Sequence, residues 1–90
     1  MIPPFGPLAH PSLGHQLRSA LGSSATRLPL GTYDSVDVTV YPEHPGGRQS
    51  TLACLRGDGG QAFVDSAHYA SWKSFAAAVA FTVKYLRRAA

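Results

Sequence analysis

The chain has 90 residues, 44% of them apolar and only 14% charged, with one cysteine and a formal net charge of +3. That length gives one small domain with a modest core, and a single cysteine excludes a scaffold held by intrachain disulfides. The longest uninterrupted apolar run, residues 75–81, falls far short of the roughly 20 residues that a membrane span needs.

Residues 1–11 carry Pro3, Pro4, Pro7 and Pro11, so an extended, flexible start is expected, with one α+β domain over 12–90. A short helix follows at 12–21: Ser12 can cap it, Leu13, Leu17, Ala20 and Leu21 recur at helical spacing, and Gly22 offers its end. Gly14 weakens that helix by about 1 kcal/mol against alanine. Residues 22–32 are predicted as a loop.

Tyr33–Tyr41 alternates, with Val36, Val38 and Val40 on one face and Asp37, Thr39 and Tyr41 on the other, which predicts a strand. Pro42 and Pro45-Gly46-Gly47 end it. Residues 50–56 predict a second strand, Gly57-Asp58-Gly59-Gly60 a tight hairpin turn, and residues 61–64 a third strand. Asp65, Ser66 or Ser71 can begin the last helix. In that helix Trp72, Phe75, Ala76, Val79, Val83 and Leu86 fall within an arc of about 100°. Lys73, Lys84, Arg87 and Arg88 gather opposite. The expected fold is therefore α-β-β-β-α, a three-stranded antiparallel sheet with both helices packed on one face.

No acidic residue follows Asp65, so the C-terminal stretch is purely cationic and suits an anionic partner such as nucleic acid or a lipid surface. The same bases also complement the helix dipole. The proline-rich N-terminus has no basic start and no apolar core of a secretory signal, so an intracellular site, nucleus or cytoplasm, is expected and no membrane attachment.

Chemistry-bearing residues are few. His10, His15, His44 and His68 lack a metal-ligand spacing, and Cys54 falls mid-strand, where an inert buried thiol is the ordinary case. Nothing pairs a nucleophile with a positioned base, so no enzyme, cofactor or metal is expected. Arg56-Gly57-Asp58 is explained by the turn it enters. Phe81 and Tyr85 lie off the main apolar stripe beside Lys84 and Arg88. They form a candidate interaction surface, for base stacking or a homodimer seam, or else extend a wide apolar face that packs the N-terminal segment with Phe5, Leu13 and Leu17.

Several residues together resemble the double-stranded-RNA-binding domain, over roughly 11–88. Leu28-Pro29 before Tyr33 resembles the family's approach to its first strand, and Tyr41-Pro42-Glu43-His44-Pro45-Gly46-Gly47 its His-containing loop. Phe63 to Tyr69 is similar to the exit of its third strand in plant-type members. Ser71-Trp72-Lys73 with Val79, Ala80 and Val83 resembles its last helix. The resemblance implies a non-enzymatic module that recognises A-form RNA by shape and phosphate contacts, as an accessory to RNA processing or silencing. It implies His44 as a loop contact, Lys73 as a phosphate contact and Gln16 as a minor-groove contact. Of the family's basic cluster at that helix start this chain keeps Lys73, with Trp72 and Ala77 at two other positions, and Tyr41 replaces the loop's glycine. The alternative is a protein-interaction or dimerisation module of the same fold, pairing through a sheet edge or the Phe81/Tyr85 surface.

Overall fold

Residues 11–87 are described by the computed structural model of the chain. The element order is α1 (Pro11–Leu21), β1 (Leu28–Tyr33), β2 (Val36–Tyr41), β3 (Leu52–Gly57), β4 (Gly60–Asp65), a 3₁₀ turn (Ser66–His68) and α2 (Trp72–Arg87). The strands form one antiparallel meander in the order β1-β2-β3-β4. The α+β class stands as expected, but the sheet has four strands rather than three. The expected flexible start over 1–11 lies, but for Pro11, outside the described residues. Pro11 itself is the first helical position, where its fixed φ and missing N–H cost nothing.

The additional strand is β1, in the stretch read as a loop. Its sequence LPLGTY carries Pro29 and Gly31 and does not alternate. The register with β2 shifts between those two residues, a bulge that absorbs both on an edge strand. The predicted single strand from Tyr33 is really a hairpin. Asp34 and Ser35 take positive φ values of 51° and 65° and turn the chain between Tyr33 and Val36. Two consecutive left-handed residues are what a type I′ hairpin turn requires, and glycine usually supplies one of them. Here Thr32 Oγ1 donates to Asp37 Oδ1 at 2.6 Å, and Arg87 at the end of α2 donates to Asp34 Oδ2 at 3.0 Å.

Both helices cover the same side of the sheet, α1 over β1 and α2 over β3 and β4. The register sets the inner face in rows: Val40, Ala53 and Val64, then Val38, Leu55 and Ala62. Against these rows pack Leu13, Leu17 and Ala20 from α1, and Phe75, Ala76, Val79, Val83 and Leu86 from α2. All of these α2 residues belong to the predicted apolar stripe. Trp72 packs only against the edge of this core. It is half-buried at the helix start, with the Arg18 guanidinium over its ring at 5.6 Å, and Phe75 is the large anchor of α2. The ring face offers Arg18 a cation–π contact that a buried tryptophan would deny it.

The glycine at the end of β3 lets the second layer come close. A Cβ on Gly57 would stand 3.0 Å from Val36 Cγ2 and 3.5 Å from Leu86 Cβ. Beside it, Gly59 N–H donates to Leu86 O at 3.1 Å, so the β3–β4 turn satisfies a carbonyl of the last turn of α2.

Candidate interaction surfaces

The β2–β3 loop, the exit of β4 and the start of α2 meet at one end of the molecule, where the C-terminus of α1 also arrives. Leu21 and Ser66 line both of the shallow depressions there, one with His44 and Arg48, the other with Tyr69 and Trp72. The local sequence explains this convergence. Ser71 Oγ accepts from Ser74 N–H at 3.1 Å and caps α2, while Asp65 Oδ1 accepts from Ala67 N–H at 2.9 Å and caps the 3₁₀ turn. Of the three candidate start signals, Asp65 and Ser71 are thus both used as caps, by different elements. Ser66 then staples β4 to β3, its hydroxyl accepting from Thr51 N–H at 2.8 Å and its N–H donating to Thr51 O at 2.9 Å.

His44 is turned into this staple. Its side chain is 8% exposed, and Gly46 N–H donates to Nδ1 at 2.9 Å. Nδ1 is therefore the acceptor, which leaves the ring proton on Nε2, 3.2 Å from Asp65 Oδ2. Arg48 Nη2 lies 3.2 Å from the same Nε2, but finds no lone pair there in this tautomer; its partner is the Asp65 carboxylate at 3.9 Å. The Ala67 N–H holds the Asp65 carboxyl below its usual range. Burial works against this, and Ser50, His44 and Arg48 add smaller pulls in the direction of Ala67, although the buried Ser50 hydroxyl lies outside bonding geometry.

The other residues implied by the RNA resemblance are placed differently. Lys73 is exposed in the first turn of α2, next to Trp72. Gln16 lies half-buried on α1, five residues before Leu21. Arg18 and Arg48, which the sequence reading passed over, bring further positive charge to this end of the fold; nothing local marks either of them.

On the outward side of α2 the surface is apolar. Tyr69, Ser74, Ala77, Ala78 and Phe81 line a groove, and Tyr85 continues it one turn on. Phe81 is 53% and Tyr85 65% exposed, and Lys84 is exposed beside them. The fourth residue of this candidate surface, Arg88, lies outside the described residues.

The far side of the sheet carries no third layer among the described residues. Thr39, Cys54 and Phe63 form one row across it and Asp37, Arg56 and Gln61 another. Phe63 is 61% exposed. Cys54 is half-buried, and its sulfur accepts from Gln61 Nε2 at 3.3 Å. Among the described residues no three His, Cys, Asp or Glu side chains come together as a metal ion would need, and no helix is long and apolar enough to cross a membrane.

Comparison with protein-family models, with curated proteins and with solved structures returns no match.

Proposed function

We propose that this chain is a small non-enzymatic binding module whose partner is a protein, held on the outward face of α2. The observation that carries this reading is the groove of Tyr69, Ala77, Ala78 and Phe81, continued by Tyr85. Aromatic side chains are the residues that interfaces concentrate, because each buries a large area at low entropic cost.

Recognition of double-stranded RNA is the second reading, favoured by the meeting of α1, the β2–β3 loop and the start of α2 at one end, with Arg18, Arg48 and Lys73 on those elements. Two features weigh against it. Both ring nitrogens of His44 are engaged within the fold, and the cluster of lysines that would grip phosphates is reduced to Lys73.

The two readings separate on salt and on the residues that matter. The immobilised chain is expected to retain a protein partner at about 0.5 M salt, where exposed charge–charge attraction is screened. The double variant Phe81→Lys, Tyr85→Lys should lose that partner while keeping its circular dichroism spectrum. Binding of an RNA duplex that falls steeply with salt, drops further in Lys73→Ala and ignores the α2 variant would instead establish the second reading.

A further inference from the structure

We propose that β4 is a self-pairing edge, through which two copies of this chain join their sheets about a two-fold axis with Phe63 facing Phe63. The inference concerns a surface distinct from the outward groove of α2 and does not depend on what that groove binds.

The register of the β3–β4 hairpin makes the argument specific. Gly57 pairs with Gly60 across the two turn residues Asp58 and Gly59, so this closing pair exchanges its N–H and C=O groups. Alternation then directs the backbone groups of Ala62 and Val64 toward β3 as well, and Ser66 N–H, bonded to Thr51 O, keeps the same phase. The backbone groups of Gln61, Phe63 and Asp65 therefore point the other way, toward the open edge. Among the described residues β4 ends the sheet, with no strand beyond it.

The two edges are built differently. β1 carries Pro29, which has no N–H to offer, and a bulge that spoils the register of any incoming strand. β4 has neither device: its sequence GQAFVD contains no proline, no lysine and no charge before Asp65.

Self-pairing also selects its own register. Antiparallel copies of β4 can exchange hydrogen bonds only between outward-directed residues. Centring the axis on Phe63 uses all three, matching Phe63 with Phe63 and Gln61 with Asp65 in both directions, two bonds per pair. A shift of two residues in either direction leaves at least one outward residue without a partner. A larger shift toward the C-terminus also sets the two Asp65 carboxylates opposite each other, which is unfavourable. In the centred register the exposed Phe63 rings meet on the open face as a cross-strand aromatic pair. The Asp65 carboxylate, turned inward to the Ala67 N–H, sets no second charge against the partner strand.

Sedimentation velocity over a concentration series, from micromolar to near millimolar, tests the association. The wild-type chain should shift from monomer to dimer. Phe63→Pro, which deletes an outward N–H and leaves the β3 ladder intact, should remain monomeric, and so should Phe63→Lys, which keeps the backbone able to fold as before. Register is read separately in a Cys54→Ser background. Phe63→Cys places two sulfurs on Cα atoms about 5.5 Å apart, within disulfide reach, and should cross-link on mild oxidation in several-fold higher yield than Gln61→Cys. A wild-type chain that stays monomeric throughout, or equal cross-linking by the two cysteine variants, overturns the proposal.

Discussion

Replacing Phe75 with alanine should cost about 3–5 kcal/mol, the usual penalty for removing a fully buried aromatic ring and leaving its cavity. Phe75 is 1% exposed and sits between α2 and the inner face of the sheet, in contact with the cluster that also holds Leu13, Leu17, Val38 and Leu55. Domains of this size hold a total stability of about 5–13 kcal/mol. The variant should therefore melt far below the wild type, or not fold at all at physiological temperature. Trp72→Ala should cost distinctly less, because its half-buried ring packs only at the edge of the core, beside Arg18. Thermal denaturation of the two variants side by side checks the ranking. A Trp72 variant as damaged as the Phe75 variant would show that the core extends to the start of α2.

Asp65→Ala should be the most damaging polar substitution, at about 1–3 kcal/mol. Its carboxylate takes the part-buried Ala67 N–H and lies 3.2 Å from His44 Nε2, and removing it leaves that cluster without its acceptor. The same site makes stability depend on pH with a defined sign. The Asp65 carboxyl is held below its ordinary range in the folded chain, so the fold favours the anion. That contribution is full above about pH 4, the ordinary carboxyl range, and is lost as pH falls through the depressed folded value. Asp65→Asn keeps one acceptor oxygen for Ala67, so it should be milder than alanine. It should also flatten the loss of stability as pH falls below about 4. Urea titrations at a series of pH values give the answer, and an Asn variant with the full acid dependence of the wild type would remove Asp65 from the account.

The parts of the fold written in local periodicity were legible from the residues. The body of α2 shows in the recurrence of Phe75, Val79, Val83 and Leu86, while its start stays open between Asp65, Ser66 and Ser71 until the structure shows Ser71 capping it. The β3–β4 hairpin followed from Gly57-Asp58-Gly59-Gly60. β1 was hidden because a bulge spoils its alternation and because its turn uses Asp34 and Ser35, neither of them glycine, at positive φ. The alternation of Val36, Val38 and Val40 then masked the break before it. The surfaces were legible only in part. The exposure of Phe81 and Tyr85 follows from their place off the helical stripe, whereas the contact between His44 and Asp65 joins residues far apart in the chain and has no local signal. The inward turn of His44 goes with that contact, so the role implied by family likeness could not be weighed before the loop was seen packed.

What most depends on the architecture is that the sheet has one covered and one open face, since the helices and their outward groove are arranged by it. The single cysteine reports on this directly. Cys54 lies on the open face and Ala53, its neighbour, is wholly buried under the helices. Native-state thiol labelling should modify Cys54 without unfolding the chain. A Cys54→Ser, Ala53→Cys variant should react only at the rate of global opening and accelerate in urea. If the thiol at 53 labels as readily as the one at 54, or if Cys54 is protected until the chain unfolds, the two-layer arrangement described here is wrong.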